Sequence, residues 1–195
     1  MSRRKMQMKK IEKIKIPLLL FCMCLVVCWI FVLQYGIFGS NLDWINQHSV
    51  LPDYFRQRFY DTGQLFPDIA WNLGAGQNIY NFSYYGLFNP IIWISYLLPF
   101  VPMSLCIQIT SILSYGVSVV IFYCWLKKKW NHRIALPCTF LFMLAAPLVY
   151  HSYNQLMFVN YMPFLCAAFW GVDKYIEEKK KALLLCGVCG MILTS

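Results

Sequence analysis

The sequence predicts an all-α membrane protein that crosses the bilayer several times. Of its 195 residues, 59% are hydrophobic and only 13% are charged, against about 25% charged residues in soluble domains. Residues 16–42, 69–126, 134–172 and 182–195 contain no Asp, Glu, Lys or Arg. Apolar runs of about 18 residues or more are typical of membrane spans. The basic residues that give the net charge of +9 lie between these runs. They therefore indicate membrane topology, and we expect no nucleic-acid partner.

The first predicted element is a membrane anchor. Residues 1–15 form a basic tail with seven Lys and Arg residues. Ile16–Phe38 follows and is long enough, at about 1.5 Å per residue, to cross a hydrocarbon core of about 30 Å. The alternative is a cleaved signal peptide, which has an apolar run of about 7–15 residues before small residues at the cleavage site. Residues 37–40 match such a site poorly, so we predict an uncleaved anchor with its N-terminus in the cytoplasm.

Two further basic clusters, at 127–133 and 173–181, define the remaining topology. Placing all three clusters in the cytoplasm puts 15 of the 17 basic residues inside, as the positive-inside rule requires. Residues 90–100 are too short to span and are interpreted as a re-entrant or interfacial segment. The remaining predicted elements are span 103–126, span 134–150, an outer turn at 151–154, span 155–172 and the start of a fifth span at 182–195. Because those last 14 residues make only about 21 Å of helix, we expect a longer polytopic protein.

Between the first two spans lies a long outer segment, residues 39–102. Ordinary connections have about 4–6 residues, and long ones are usually functional. This one is rich in aromatic side chains, which favour the headgroup level of a bilayer. Leu51, Phe55 and Phe59 recur every four residues, which predicts an amphipathic interfacial helix over 50–60. The polar, glycine-containing residues 73–78 favour a tight turn.

Several motifs in and after this segment resemble those of the bacterial YfhO membrane-protein family. An acidic-then-Gln element follows the first span, then an L-G-x-G-x-N turn and a Y-Y-x-x-S-P element. The matching stretches are Asn41–Asp43 with Gln47, Gly63, Trp71–Asn78, Tyr84–Pro90, Leu156–Pro163 and Gly171–Lys174. The chain departs from the pattern at Asn89, where Ser is usual, and at Asn160, where an acidic residue is expected.

The resemblance implies a GT-C-like fold, a polytopic helical membrane protein whose long first extracytoplasmic loop contains interfacial helices. It implies residence in the bacterial plasma membrane among membrane lipids. It also implies transfer of a sugar from an undecaprenyl-phosphate-linked donor to an envelope glycopolymer such as lipoteichoic acid. By position it assigns catalysis to Asp43. Substrate contacts fall on the motif residues Gln47, Asn78, Tyr84 and Tyr85.

Asp43 is the strongest candidate on chemical grounds too. A carboxylate just beyond the first span can take the proton from an acceptor hydroxyl within about 3 Å. The alternatives are a helix cap and a solvated loop charge. His48 can shuttle a proton or bind sugar hydroxyls, although a purely structural histidine is the commoner case.

Three other outer residues carry weaker hypotheses. Arg56 and Arg58 are the only basic residues of the outer segment, and either can bind a lipid phosphate or simply contact headgroups. Asp53, with Asp61 and Asp68, can supply oxygen ligands to a divalent cation, or serve only solubility and local hydrogen bonds.

Two other functional classes remain open. A transporter or lipid flippase predicts ionisable residues inside later spans, and the spans visible here have none. A non-catalytic envelope scaffold predicts that Asp43 can be replaced without consequence.

Overall fold

The computed structural model describes residues 3–36, 38–39, 43–154 and 160–194, with side chains from Ile14 onward. Within these ranges most residues are helical and only two short strands form, which confirms the predicted all-α class. The helices are α1 (Arg3–Tyr35), α2 (Val50–Thr62), α3 (Pro90–Ser95), α4 (Met103–Lys129), α5 (His132–Met143), α6 (Ala146–Asn154), α7 (Met162–Glu178) and α8 (Ala182–Thr194). The outer segment adds a π-helical turn (Trp44–His48), a short antiparallel hairpin of β1 (Ile69–Ala70) with β2 (Gln77–Asn78), and a 3₁₀ helix (Ile79–Tyr85).

Helices α1 and α4 form the membrane core of the described chain. Ile14–Tyr35 and Met103–Lys129 are both long and apolar enough to cross a bilayer, and the bent pair α5–α6 makes a third span if it is counted as one. Phe21 of α1 packs onto Gly116 of α4, where an added Cβ would lie 2.6 Å from the Phe21 ring. Small residues let membrane helices approach this closely. The opposite face of α1 exposes large apolar side chains such as Leu33, as expected for a surface in contact with lipid.

The span predicted at 134–150 is broken in the structure. Helix α5 ends at Met143, α6 begins at Ala146, and the two are bent by 42°. Pro147 explains the break, because a proline has no N–H to give to the carbonyl four residues earlier, here Met143. The Tyr115 hydroxyl of α4 donates a hydrogen bond to that Met143 oxygen at 2.6 Å. Residues 151–154, where the sequence predicted an outer turn, are helical and form the last turn of α6.

Helices α7 and α8 pack as a close antiparallel pair. Lys179, in the left-handed conformation at φ 57°, ends α7. An added Cβ at Gly171 would lie 2.4 Å from the Leu184 backbone nitrogen, and one at Gly187 would lie 2.5 Å from that of Ala168. Of the span predicted at 155–172, residues 155–159 lie outside the described ranges.

Helix α7 also continues beyond that predicted span, into residues 173–178 that the sequence assigned to a cytoplasmic loop. The physical reason is pairing with the end of α4. Lys129 Nζ lies 2.6 Å from the Asp173 carboxylate, and Trp125 Nε1 donates to the same group. Because Asp173 has these partners on α4, α7 can remain helical beyond the predicted end of the span.

The outer segment contains the helix predicted from its apolar spacing. In α2, Leu51 and Phe55 are buried, and Gly63 ends the helix in the left-handed conformation at φ 70°. The expected turn at 73–78 falls within the small hairpin. In the predicted re-entrant segment, α3 is a six-residue helix, and its depth in a membrane stays a prediction.

Candidate functional site

Asp43 stands at the start of the π-helical turn Trp44–His48, a few residues beyond the end of α1. Its side chain is exposed. Within the described ranges its carboxylate accepts no capping hydrogen bond from the turn that follows. The helix-cap alternative is therefore not what the geometry shows, and the carboxylate is open to another molecule.

Two buried side chains, His48 and Tyr85, lie close enough to this carboxylate for its charge to shift their pKa values. They are 2% and 6% exposed, and their rings pack edge to face with centroids 5.5 Å apart. Burial lowers the pKa of His48 below its ordinary value of 6.5, and the Asp43 charge opposes part of that shift. Burial raises the pKa of Tyr85, and its contact with Tyr84 and the charge of Asp43 raise it further. At neutral pH the pair is therefore a neutral imidazole and a protonated phenol.

Gln47 and Tyr84 complete what we call the polar cluster, which consists of Asp43, Gln47, His48, Tyr84 and Tyr85. The Tyr85 hydroxyl donates a hydrogen bond to Gln47 Oε1. The Tyr84 and Tyr85 rings are tilted against each other, with centroids 4.2 Å apart. The cluster thus combines a free carboxylate, a group able to accept a proton and hydroxyls able to donate hydrogen bonds. Such a set suits general-base chemistry on an alcohol.

Local structure explains why the two halves of the cluster meet. The Ser49 hydroxyl donates to the Trp44 carbonyl at 2.8 Å, which closes the π-helical turn around Gln47 and His48. The 3₁₀ helix that carries the two tyrosines is capped at its start by Asn78, whose side-chain oxygen accepts from Tyr80 N at 2.9 Å. Asn78, predicted to contact substrate, is thus placed as a cap at the opposite end of this helix from Tyr84 and Tyr85.

Arg56 has structural partners and is 7% exposed. Its guanidinium lies 2.6 Å from an Asp53 carboxylate oxygen and donates to the Val101 carbonyl at 2.9 Å. These contacts fasten α2 to the segment before α4. Arg58 has a looser ion pair, 3.7 Å from Asp61, and is the more available of the two arginines for a phosphate.

Asp53 does not belong to a metal-binding cluster in the part of the chain that the structure describes. No group there brings together three or more His, Cys, Asp or Glu side chains. The two Asp53 oxygens are bonded to Arg56 and, at 2.9 Å, to Gln57 Nε2. Asp53 therefore has a structural role, as the acceptor for these two side chains of α2.

A path of aromatic contacts, which no local sequence pattern predicts, connects the polar cluster to the membrane helices. The Tyr153 ring of α6 lies 5.8 Å from Phe38. Next to Phe38, Gly39 packs so closely on Trp44 that an added Cβ would lie 3.0 Å from the indole ring. Trp44 directly follows Asp43. Aromatic composition alone could not reveal this path, because α6 is distant in the sequence.

Comparison with known proteins decides the family. A family model described as bacterial membrane protein YfhO matches residues 14–194. The chain belongs to the YfhO family. The match covers the membrane helices and the polar cluster together, so this YfhO chain is a membrane protein, and the resemblance expected from its motifs is confirmed. Searches among curated proteins and solved structures found no match to this YfhO chain.

Proposed function

We propose that this YfhO protein is a membrane glycosyltransferase acting at the outer face of the bacterial plasma membrane. In this proposal it moves a sugar from an undecaprenyl-phosphate-linked donor to an envelope glycopolymer such as lipoteichoic acid. The observation that carries the proposal is the polar cluster. It sets an exposed carboxylate, Asp43, beside neutral His48 and protonated Tyr85, just after the first membrane helix.

The orientation is part of the proposal. With the basic clusters at 1–15, 127–133 and 173–181 in the cytoplasm, the C-terminal end of α1 lies at the outer face. Asp43 then stands where the headgroup of a lipid-linked donor meets water. A polymer outside the cell reaches the same place from the other side.

The reaction uses the cluster as a base. The acceptor oxygen bonds to the anomeric carbon of the sugar as the bond from that carbon to the phosphate oxygen breaks. The electron pair leaves with the lipid phosphate, and the hydroxyl proton passes to Asp43, which must come within about 3 Å of it. The exposed side chains of Gln47 and Tyr84 contact the hydroxyls of the substrates, and the buried His48 and Tyr85 support them from behind. Arg58 offsets the charge of the departing phosphate.

The test compares Asp43→Asn with wild type, using full-length protein in its host at matched membrane abundance. Sugar on lipoteichoic acid is measured by mass spectrometry. Asp68→Asn is the matched control, because Asp68 is another exposed carboxylate of the same segment. We expect the modification to fall by about 100-fold or more in Asp43→Asn, the size of a lost general base, and to persist in Asp68→Asn.

Other results would change the proposal in different ways. Normal modification in Asp43→Asn, with loss in a deletion strain, would keep the glycosyltransferase and remove Asp43 as its base. Normal modification in the deletion strain would reject lipoteichoic acid as the acceptor and favour another glycan, transport or scaffolding.

A further inference from the structure

A groove of about 470 Å³ lies between α1 and α6. Val27, Phe31 and Tyr35 line it on the α1 side, and Ala146, Val149 and Tyr153 line it on the α6 side. Its volume falls within the range of roughly 300–1,000 Å³ that ligand pockets occupy. Helix α1 is long and apolar enough to cross a membrane, and α6 belongs to the bent pair α5–α6, which makes a third span when it is counted as one. With both walls in the membrane, the surrounding medium is hydrocarbon and the natural occupant is a lipid chain.

The break in the third span shapes this groove. Leu144, in the break between α5 and α6, lies on its wall, as does Ala146 in the first turn of α6. The Pro147 break and its 42° bend therefore decide where α6 stands relative to α1. An unbroken helix over the same residues would present a different surface to α1.

The groove changes character along its length. Val27, Leu144 and Val149 make one part apolar. The polar lining groups are Tyr35 at the end of α1 and Tyr150, Tyr153 and Asn154 at the end of α6. In the proposed orientation both helix ends face outward, so the polar groups sit at the outer rim. An apolar interior with a polar outer rim matches a lipid with its chain inside and its headgroup outside.

The rim of the groove adjoins the polar cluster. Tyr153 contacts Phe31 and Tyr35 within the groove, with ring centroids 5.1 and 5.4 Å apart. The same ring contacts Phe38 at 5.8 Å. From Phe38 the path continues through Gly39 and Trp44 to Asp43. These contacts connect the rim to Trp44, the residue directly after the candidate base.

We propose that this groove holds the phosphate-proximal isoprenoid units of the donor's polyprenyl chain. The inference rests on the proposed function and names the place where its lipid substrate binds. A chain that leaves the bilayer for the groove gains no hydrophobic energy, because both surroundings are apolar. What the groove supplies is position: it holds the phosphate-linked sugar at the level of Asp43. Phospholipids need no such placement, so the occupant is the lipid that carries the reacting group.

The test is photolabelling of full-length protein in phosphatidylethanolamine and phosphatidylglycerol nanodiscs. The probe is undecaprenyl phosphate with a diazirine near the phosphate, and labelled residues are mapped by peptide mass spectrometry. We expect label on the groove walls of α1 and α6. Unlabelled undecaprenyl phosphate should compete with it, and added phosphatidylglycerol should not. Label elsewhere, or equal competition by phosphatidylglycerol, would overturn the proposal.

Two filling variants sharpen the result. Ala146→Trp places a large ring in the groove and should lower specific labelling about tenfold, equivalent to about 1.4 kcal/mol of lost binding. Leu141→Trp is the matched control, because Leu141 is 75% exposed on α5 and does not line the groove. If Ala146→Trp fails to accumulate, Val149→Trp fills the same space. Unchanged labelling in a folded filling variant would reject the groove.

The proposed function fails separately from this inference. Specific label in the groove of a wild-type protein that transfers no sugar in its host would keep the lipid site and reject the glycosyltransferase. Sugar transfer without label on α1 or α6 would keep the glycosyltransferase and reject the groove as the lipid site.

Discussion

The hydroxyl of Tyr85 donates a hydrogen bond to the side-chain oxygen of Gln47, 38 residues earlier in the chain. This contact closes the outer segment on itself. It brings the residues just after the first membrane helix against the end of the 3₁₀ helix. Two motifs that are far apart in the sequence thereby become one polar cluster around Asp43.

Tyr85→Phe should loosen this closure. The change removes the donor to Gln47 while it keeps the ring against His48. We expect a loss of about 0.5–1.5 kcal/mol, the net contribution of one hydrogen bond, concentrated in the outer segment. Hydrogen exchange of residues 44–49 measures it. Tyr80→Phe, on the same helix but 38% exposed, is the control, and equal exchange in both variants would show that the closure depends on other contacts.

The titration of His48 should report the charge of Asp43. Burial lowers the pKa of His48, and Asp43 raises it part of the way back. Asp43→Asn should therefore lower the pKa of His48 further, as measured by nitrogen chemical shifts of labelled histidine. Asp68→Asn should leave it unchanged. An increase on Asp43→Asn would contradict the placement of the two side chains.

The same shift makes stability depend on pH. The folded protein keeps His48 neutral below its ordinary pKa of 6.5, whereas the unfolded chain takes up a proton there. Stability from His48 is therefore fully present above about pH 6.5, and is lost as pH falls from that value through the lower pKa of the folded state. His48→Gln should flatten this part of a stability–pH curve, and an unchanged slope would assign the dependence to other groups.

Arg56 and Arg58 should respond differently to the same change. Arg56 is buried and bonded to Asp53 and Val101, so Arg56→Met leaves Asp53 without its closest partner. We expect about 1.5–3 kcal/mol of destabilisation, as for hydrogen bonds to charged groups. Arg58→Met breaks only a loose pair and should cost about 0–1 kcal/mol. Denaturant unfolding in detergent compares them, and equal losses would contradict the structural assignment of Arg56.

The partners of these two arginines could not be predicted from the sequence. Hydropathy and charge were sufficient for the helical membrane class, because apolar length and basic clusters are local properties of the chain. The spacing in α2 predicted that helix for the same reason. Whether a basic side chain is free or bonded depends on residues such as Val101, which is 45 positions away from Arg56. No local pattern contains that contact.

The structure explains both departures from the family motifs, at Asn89 and Asn160. Asn89 caps α3 by accepting from Ile91 N at 3.0 Å, a role that Ser fills equally well. Asn160 is buried, and its side-chain oxygen accepts from the Ser111 hydroxyl at 3.4 Å, as an acidic oxygen also could. Both substitutions keep an acceptor at the position, and the sequence alone could not show which group it serves.

Tyr115 and Pro147 should be coupled through the Met143 carbonyl. Tyr115→Phe removes the hydroxyl that donates to this oxygen at 2.6 Å, and Pro147 has no N–H to replace it. We expect a loss of about 1–3 kcal/mol, the penalty of an unpaired buried carbonyl.

Pro147→Ala in the same background restores an N–H four residues after Met143, so the double variant should recover part of that loss. A double-mutant cycle measured by denaturant unfolding gives the coupling directly. Leu141→Ala, exposed on α5, controls for nonspecific effects of changing this helix pair. Strict additivity of Tyr115→Phe and Pro147→Ala would mean that Tyr115 does not compensate for the proline, and the cause of the break would have to lie elsewhere.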